Sequence, residues 1–591
     1  MLTSSVVNKY DKTDLTVSAA VDTWNDDWLT TDKDLIVDMN GDEVRLTGVN
    51  WFGFNCSENV FHGAWSFGTT DADGNGHADA GVHDQLKGIV DHGFNLLRVP
   101  ISSELLVSWM NGAPHAVGSI AVAAPDGYND VGCNAEFVVP GTADEPKSSM
   151  EIFDIIMGWC KELGLKVMID IHSPDENNSG HNYELWYGKA GITSKLWEDS
   201  LVWLADKYSN DDTIIAYDLK NEPHGKAADT LSGKGAKWDS STDEFNWKYA
   251  AEKCGNAIME VNPNALIMIE GIEVYPKEGQ TWSSPVGGYG APENYYGAWW
   301  GGNLRGVREH PITITGASGN SQVVYSPHDY GPTVYAQTWF HMAPESPNAD
   351  GEYDAKAGVF TEQSLLDEYW YDSWAYIDAE HIAPLLIGEW GLKTVAEGGT
   401  LADQKWGEIL RDYMTKNHIN ATFWCYNPDS GDTGGLVDND WSTWVTAKYE
   451  LVEPSLWQDD SGKFIGLDHE VALGANGQSL NEYYGNTGGG TTTTTKPITT
   501  TTKPPSTTTT KITTAGGGAN YGDINGDGIA GKMDDIVLFA KYFKGNIKLN
   551  AEAIENAQCD KTGDSATKID SADLTSLINY LLGQVTNLPI Q

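Results

Sequence analysis

The sequence predicts an α/β protein whose main domain is a (β/α)8 barrel of the TIM type, followed by a flexible linker and a small α-helical module. Three features support this prediction. Short apolar segments alternate eight times with longer amphipathic stretches, a threonine- and proline-rich stretch follows them, and the chain closes on a repeated loop-and-helix pattern. An open, doubly wound sheet is the rival for the first part, but no glycine-rich dinucleotide loop follows the first strand.

Eight segments have the length and composition of buried strands in a parallel sheet. Ahead of them, residues 35–46 alternate in polarity around Asn40-Gly41, which predicts a two-residue hairpin that closes the bottom of the barrel. The predicted strands are 46–52, 94–99, 166–172, 214–221, 265–271, 323–328, 384–389 and 421–426.

Composition narrows the classes of function. Among 591 residues, 37 basic side chains stand against 84 acidic ones, and the net charge of −47 repels nucleic acids and anionic lipids. No apolar run approaches the length of a membrane span, and the N-terminus lacks the pattern of a signal peptide, so a secreted protein would be a processed form. The six cysteines show no metal-type spacing, which argues against a zinc site. The 23 tryptophans suit flat ligands such as sugar rings.

Polar side chains stand where the predicted strands end. In a (β/α)8 barrel the loops after the strands form the active face, so these residues are expected to converge there. Each one alone is also compatible with a buried ion pair or a satisfied core residue, and it is the convergence of the set that favours a site. The residues are Arg98, Asp170, His172, Asn221, Glu222, Glu270, His328, Tyr330, Glu389 and Trp424.

Glu222 and Glu389 belong to strands on opposite sides of such a barrel. Hydrolysis of a glycosidic bond requires two carboxyl groups, one that donates a proton and one that attacks or activates water. A separation of roughly 5–5.5 Å predicts retention of anomeric configuration, and roughly 6.5–9.5 Å predicts inversion. The sequence leaves this distance open.

Three longer stretches accompany the ordered polar residues: GVNWFGF from Gly48, VYSPHDY from Val324 and NPDSGDTGG from Asn427. Together they resemble glycoside hydrolase family 5, of the retaining (β/α)8 clan, and in particular its endo-β-1,4-glucanases. The resemblance covers residues 35–456. It implies hydrolysis of β-1,4-glucan by a monomeric catalytic domain that needs no cofactor for catalysis.

The resemblance also implies the two catalytic roles. Glu222 is the expected acid/base, with a pKa raised by desolvation and by the second carboxylate. Glu389 is the expected nucleophile, kept ionised by the Tyr330 hydroxyl and the charge of Arg98.

Supporting roles follow from the same resemblance. Asn221 is expected to hydrogen-bond the sugar 2-hydroxyl, while His172 and His328 orient the acid/base and the reacting sugar. Trp424 is expected to form the floor of the subsite for that sugar. Stacking platforms farther along are expected from Trp51 and from one of Trp299 and Trp300, with core or lid residues as the alternative.

Composition divides the chain into four parts. Residues 1–30 form an N-terminal extension, 31–485 the barrel domain, 486–518 a Thr/Pro/Gly linker and 519–591 the terminal module. Two barrel loops, 61–85 and 111–146, are longer than ordinary connections and are expected to shape substrate choice. The first contains Asp71-x-Asp73-x-Asn75-Gly76, which opens like a calcium loop but has Val82 at position twelve, so a plain turn is the alternative.

The terminal module repeats a loop-and-helix unit. Its first loop has oxygen ligands at positions one, three and five and a glycine at six, which is EF-hand-type spacing. The second loop is longer and lacks the glycine, which puts its affinity for calcium in doubt. The candidate ligands are Asp523, Asn525, Asp527, Asp534 and Asp535 in the first unit, and Asp560, Asp564, Asp570 and Asp573 in the second.

This duplicated pattern, over residues 521–583, resembles a type I dockerin. The resemblance implies structural calcium and, as partner, a cohesin domain of a scaffold protein, so the protein is expected to be extracellular and part of a cellulosome. A calcium-stabilised tail without a partner is the alternative. For the barrel domain, mannan or xyloglucan as substrate and a non-catalytic carbohydrate-binding function are the alternatives.

Overall fold

The structure, a computed structural model, describes residues 27–66, 81–118, 120–121, 134–142, 144–176, 183–226, 229, 232–285, 294–342 and 360–486. All of them belong to the first of the two units into which the chain divides, Met1–Thr499. The dockerin-like module, its calcium ligands, nearly all of the linker and the calcium-type loop at 71–76 lie outside the described residues.

Short strands make up the framework of the described part of the chain. The first begins before residue 31, where the sequence placed the start of the domain. They are β1 (Leu29–Asp32), β2 (Leu35–Asp38), β3 (Glu43–Val44), β4 (Thr47–Asn50), β5 (Leu96–Ser102), β6 (Lys166–Ser173), β7 (Ile214–Asp218), β8 (Leu266–Ile269), β9 (Val274–Pro276), β10 (Tyr295–Gly297), β11 (Val323–Tyr325), β12 (Leu386–Trp390) and β13 (Asn420–Phe423).

Eight strands form one sheet in the order β11-β8-β7-β6-β5-β4-β13-β12, with every neighbouring pair parallel. Two parallel bridges, Tyr325 with Leu385 and His328 with Glu389, join β11 to β12 and close the sheet on itself. Each predicted strand overlaps one of the eight. The predicted (β/α)8 barrel is therefore confirmed.

Helices cover the outside of the barrel and are defined by caps as well as by apolar faces. The Ser148 and Thr400 hydroxyls accept the backbone N–H groups of Glu151 and Asp403, so each helix begins at a satisfied N-cap. The helices are α1 (Val82–Asp91), α2 (Ser103–Met110), α3 (Ser149–Glu162), α4 (Ser194–Lys207), α5 (Trp247–Met259), α6 (Glu362–Leu365), α7 (Tyr376–Ala379), α8 (Leu401–Lys416), α9 (Thr446–Val452) and α10 (Leu480–Asn486), with π-helical turns at Leu366–Ala375 between α6 and α7. None of the described helices is long and apolar enough to cross a membrane.

The barrel interior changes from apolar to charged along each strand. Leu96 and Met168 belong to a buried cluster that fills the lower barrel. Because successive side chains of a strand point to opposite faces, the inward position recurs every second residue, at Arg98 and Asp170. Both side chains are buried. The upper interior therefore consists of buried charges at the carboxyl ends of the strands, which is where a site was predicted.

A three-stranded antiparallel sheet closes the bottom, as predicted, but the predicted two-residue turn is wrong. Strands β2 and β3 pair as far as Val37 with Glu43, which leaves a longer loop that contains Gly41 in the left-handed region at φ 88°. The Asp38 carboxylate accepts the backbone N–H groups of Asn40 (2.9 Å) and Asp42 (2.8 Å). These side-chain hydrogen bonds stabilise the wider turn.

A buried ion cluster fixes the first described residues to the bottom of the barrel. Lys166 Nζ at the start of β6 lies 2.5 Å from Asp27 Oδ2 and 3.4 Å from both Asp212 Oδ1 and Asp468 Oδ2. All four side chains are buried or nearly so. The cluster therefore connects residues 27 and 468, from the two ends of the domain, through one lysine.

His469 extends this cluster. Its Nδ1 lies 2.6 Å from Asp27 Oδ1 and its Nε2 lies 3.0 Å from Asp38 Oδ2. Burial disfavours the charged ring, but the hydrogen bonds with Asp27 and Asp38 outweigh it and raise the pKa of His469 to about 10. The folded protein therefore holds a proton here that the unfolded chain releases near pH 6.5.

This difference predicts a pH-dependent stability. Because the pKa is raised on folding, the contribution of His469 is complete below roughly pH 6.5 and is lost as the pH rises through about 10. We expect the Tm of the full chain, measured by calorimetry, to fall between pH 6 and pH 9, and to fall less in His469→Gln. The exposed His381 supplies the matched control, His381→Gln. An equal fall in the wild type and His469→Gln would contradict this account.

Candidate active site

A cleft of about 1000 Å³ lies at the carboxyl ends of the barrel strands. Eight of the eleven residues predicted for catalysis and substrate binding line it, and two more, Arg98 and His328, are buried beside them. The lining residues from the predicted set are His172, Asn221, Glu222, Trp299, Trp300, Tyr330, Glu389 and Trp424.

The two predicted catalytic glutamates meet at the ring of His328. Nδ1 of His328 lies 3.0 Å from Glu222 Oε1 and 3.6 Å from Glu389 Oε2. This nitrogen and one oxygen of each glutamate all lie within 4.8 Å of one another. Both carboxylates also line the cleft. One sugar unit in the cleft would therefore contact both of them.

Both oxygens of Glu389 have fixed hydrogen-bond donors. The Arg98 guanidinium donates from Nη1 to Oε1 at 2.7 Å, and the Tyr330 hydroxyl donates to Oε2 at 2.5 Å. Hydrogen bonds of this charge-assisted kind are short and directional. They hold the Glu389 carboxylate in one orientation toward the cleft.

Arg98 is fully buried among four carboxylates. Nη2 lies 3.2 Å from Asp170, 3.0 Å from Asp218 and 3.2 Å from Glu270, in addition to the bond from Nη1 to Glu389. Burial opposes the charge of the guanidinium, but these four neighbours raise the pKa of Arg98 well above its ordinary value. Burial in turn raises the pKa of Asp218 to about 6 and that of Glu270 well above its usual range.

Glu222 occupies a strained position that Glu270 holds in place. The backbone of Glu222 lies in the left-handed region at φ 49°, which costs a residue other than glycine about 1–2 kcal/mol. Its amide N–H donates to Glu270 Oε2 at 2.6 Å, and Gly301 packs so closely against that carboxylate that a side chain there would collide with it. The other oxygen of Glu270 accepts Arg98 Nη2 and lies 3.2 Å from His328 Nε2.

Glu270 is one of the polar strand ends identified from the sequence, but its two-sided contacts were not predicted. Asn50, whose Oδ1 accepts from Arg98 Nη1 at 2.9 Å, was not predicted as a site residue at all. Both residues stand on inward-facing positions of barrel strands near the ends of those strands. A polar residue on the inward period of a strand was the signal that pointed to them.

The prediction that the pKa of Glu222 is raised is wrong. Burial raises the pKa of Glu222, but the hydrogen bond and positive charge of His328, with smaller contributions from His224 and His172, lower it to about 2. The same contacts act on His328: burial opposes its charge, and Glu270, Glu389 and Glu222 raise its pKa well above the ordinary value. The proton of the His328–Glu222 pair is therefore held by the imidazole ring.

Two rings stack near Trp424 at the predicted subsite. His172 stacks at 5.6 Å with an interplanar angle of 12°, and Phe52 stacks at 5.6 Å and 13°. Nδ1 of His172 lies 2.7 Å from Asp170 Oδ2, so the carboxylate fixes that ring. The indole of Trp424 is thereby oriented before any sugar binds.

Trp51 is not a stacking platform. It is fully buried, stacks on Phe61 at 4.3 Å, and donates its indole N–H to the His62 carbonyl. Asn50 points inward to Arg98, so the next residue, Trp51, points outward into the core, and Phe52 lines the cleft instead.

Trp299 and Trp300 both line the cleft but differ in exposure. Trp300 is 37% exposed and lies flat on the ring of His224, at 3.9 Å and 8°. Trp299 is 7% exposed and meets Tyr330 edge-on. An open, supported indole face makes Trp300 the better stacking surface of the two.

The chain and its fold match known proteins. The cellulase family model, glycosyl hydrolase family 5, matches residues 37–430. Endoglucanase G of Acetivibrio thermocellus is 58% identical over 481 residues, 80% of this chain and 78% of that protein, and Endoglucanase B of the same organism is 41% identical over 551 residues, 90% and 88% respectively. A solved endocellulase structure from Pyrococcus horikoshii superposes with a TM-score of 0.56 at 29% identity, covering 73% of this chain and 98% of that one.

Because both carboxylate oxygens of Glu270 accept hydrogen bonds, we expect Glu270→Gln to impair catalysis. An amide offers one acceptor oxygen where the carboxylate offers two, so either the Glu222 N–H or the Arg98 guanidinium loses its acceptor at this position. We expect kcat on a soluble β-glucan to fall about 10- to 100-fold, the effect of one buried charge-assisted hydrogen bond, with a smaller change in KM.

The matched control is Asp38→Asn at the opposite end of the barrel. Asp38 is also buried and also accepts backbone N–H groups, so its loss is expected to lower the Tm while kcat stays within about twofold. If Glu270→Gln lowers only the Tm and leaves kcat at the wild-type value, the positioning role of Glu270 is wrong.

Proposed function

The chain belongs to glycosyl hydrolase family 5, the cellulase family, and on that premise we propose that it hydrolyses internal β-1,4-glucosidic bonds of cellulose and related β-glucans with retention of anomeric configuration. The observation that carries the proposal is that a carboxylate oxygen of Glu222 and a carboxylate oxygen of Glu389 lie within 4.8 Å of each other in one cleft. Retaining enzymes place their carboxyl groups roughly 5–5.5 Å apart, whereas inversion needs room for a water between them, at roughly 6.5–9.5 Å.

In the first step Glu389 acts as the nucleophile. Its carboxylate oxygen bonds to the anomeric carbon as the bond from that carbon to the glycosidic oxygen breaks. The electron pair leaves with the glycosidic oxygen, which takes a proton from Glu222. Arg98 and Tyr330 hold the carboxylate in line for this attack.

The proton reaches the leaving group through Glu222. In the structure His328 holds it, 3.0 Å from Glu222 Oε1, and a sugar that displaces water from the cleft makes an ionised Glu222 less favourable. The proton then moves across this hydrogen bond to the carboxylate. In the second step Glu222, now ionised, takes a proton from water, and the hydroxide oxygen bonds to the anomeric carbon and releases Glu389.

Asn221 supports both steps. Its Oδ1 accepts from Arg98 Nη2 at 3.0 Å, so its amide NH₂ is the group left to donate into the cleft that it lines. A hydrogen bond with the sugar 2-hydroxyl strengthens as the anomeric carbon becomes cationic. Arg98 therefore orients the nucleophile and this amide together.

The aromatic faces of the cleft suit the flat rings of a β-1,4-linked polymer. Trp424 forms the floor of the subsite beside His172, and Trp300 supplies a second, open indole face in the same cleft. Mannan and xyloglucan chains have similar flat faces, but the relatives that match over most of this chain are named endoglucanases. Initial rates on carboxymethylcellulose, mannan and xyloglucan decide between these substrates, and a higher rate on mannan or xyloglucan would overturn the proposed preference.

The two glutamates provide the direct test of function. In Glu222→Gln we expect hydrolysis of soluble β-glucan to fall about 10²- to 10⁴-fold, the contribution of acid–base catalysis, and in Glu389→Gln we expect a larger loss because no nucleophile remains. The exposed Glu260 supplies a matched control, Glu260→Gln, with unchanged turnover. Circular dichroism checks that each variant folds. Turnover at the wild-type rate in either site variant would reject the assignment of the two glutamates. Absence of hydrolysis by the wild type itself would favour the non-catalytic carbohydrate-binding alternative.

We further propose that residues 521–583 form a calcium-dependent type I dockerin that binds a cohesin, so that the enzyme acts outside the cell on an insoluble polymer. The support is the duplicated loop-and-helix pattern with its candidate ligands, led by Asp523, Asn525 and Asp527. The likeness to Endoglucanase B supports it too. An alignment over 90% of this chain cannot fit within residues 1–486 and therefore reaches into the C-terminal part.

Calcium removal from the full chain tests this module separately from catalysis. In a module this small, metal-binding energy supplies much of the folding energy, so a chelator should unfold residues 521–583 while the barrel stays active. Limited proteolysis with and without calcium, followed by an activity assay, measures both effects. A C-terminal segment equally resistant to protease in either condition would contradict the dockerin proposal.

A further inference from the structure

A second group of metal-ligating side chains lines the cleft on the segment that follows β4. Cys56, Glu58 and His62 each place one ligand atom within 4.8 Å of the others, and Cys56 and His62 line the cleft. Cys56 is a free, buried thiol. The catalytic proposal uses none of the three. We name them the Cys–Glu–His cluster.

We propose that the Cys–Glu–His cluster binds a divalent cation of borderline softness, with Zn²⁺ as the prototype. The cluster offers one thiolate, one imidazole and one carboxylate, which are the three ligand types that zinc uses in proteins. A thiolate among three ligands disfavours calcium and magnesium, because those ions prefer oxygen ligands.

The spacing of the ligand atoms fits a tetrahedral ion. Bonds from zinc to nitrogen or oxygen of about 2.0–2.1 Å place two neighbouring ligand atoms of a tetrahedron about 3.3–3.4 Å apart. His62 Nε2 lies 3.3 Å from Glu58 Oε2. These two ligand atoms therefore lie at the required separation. The Cys56 sulfur lies within 4.8 Å of the ligand atoms of both Glu58 and His62.

His62 is held in the orientation that a ligating histidine needs. Nδ1 lies 2.7 Å from Asp429 Oδ2, the carboxylate–histidine arrangement that fixes the tautomer and directs the other nitrogen to the metal. Two aromatic rings, Phe52 and Trp65, flank the imidazole with centroids 5.1 Å away. Nε2 therefore faces Glu58 without any rearrangement.

Three protein ligands leave one position of a tetrahedral ion open, and Cys56, His62 and Asp429 all line the cleft. The open position therefore faces the cleft and takes water or a hydroxyl group. A bound ion would also connect the segment after β4 to Asp429, which follows β13, through His62. The sequence argued against a zinc site because the six cysteines show no metal-type spacing, and this cluster contains only one cysteine.

Competition for Zn²⁺ against a chromogenic chelator tests the proposal on the full chain at pH 7. A constant excess of Ca²⁺ keeps the C-terminal calcium loops out of the measurement. We expect the wild type to withdraw one equivalent of Zn²⁺ from the chelator. Affinity should fall at least 10-fold in Cys56→Ser and His62→Gln, and about 10- to 100-fold in Asp429→Asn, which removes the carboxylate behind the histidine.

Glu58→Gln should lower the affinity for Zn²⁺ less than the other variants, since Glu58 is partly exposed and its loss leaves the thiol and imidazole in place. Cys160→Ser, at a buried thiol elsewhere in the barrel domain, is the matched control with unchanged affinity. Co²⁺ provides a second probe, because sulfur ligation by Cys56 gives a near-ultraviolet charge-transfer band that Cys56→Ser should abolish.

Failure to withdraw an equivalent of Zn²⁺, or a Kd unchanged in both Cys56→Ser and His62→Gln, would overturn the proposal. The cluster would then be a hydrogen-bonded group in which His62 links Asp429 to Glu58. The catalytic assignment does not depend on this outcome, since neither Glu222 nor Glu389 belongs to the cluster.

Discussion

The structure of the site depends on one buried cation, the Arg98 guanidinium. It contacts Asp218, Glu270 and Glu389, and it also donates to Asn50 and Asn221. Removing one partner from a buried ion pair typically costs about 3–5 kcal/mol, because the remaining charge is left without compensation. Several carboxylates share this one guanidinium, so its loss would destabilise them together. The positions of Glu389, Asn221 and, through Glu270, Glu222 are therefore coupled through a single side chain.

The barrel makes this concentration of charge possible. Inward positions at the lower level are apolar, as at Leu96 and Met168, and two residues farther along they are Arg98 and Asp170. The apolar layer and the three-stranded cap below it exclude water from the lower barrel. Charges above that layer act on one another through a medium of low dielectric, which strengthens each pair and raises the pKa of carboxyls such as Glu270.

The sequence predicted correctly those features that depend on a single strand or on its two-residue alternation of side chains. Apolar segments with polar ends gave all eight barrel strands, and the carboxyl ends of parallel strands meet at one edge, which brought Glu222 and Glu389 together. Contacts between side chains of different segments could not be predicted from the pattern of one strand. The His328 ring lowers the pKa of Glu222, and Asp38 widens a turn, because side chains reach neighbours that no spacing reveals. Trp51 illustrates the same limit. Whether an aromatic residue near a site lines the cleft depends on whether its side chain points into or out of the barrel.

In the proposed mechanism Glu222 and Glu389 act on opposite sides of one sugar at a separation too short for an intervening water. The anomeric configuration of the first product reports this directly, since double displacement retains it and a single displacement inverts it. Proton NMR during the first minutes of hydrolysis of a soluble cello-oligosaccharide measures the configuration before mutarotation. We expect the β-anomer to appear first, whereas initial release of the α-anomer would rule out double displacement.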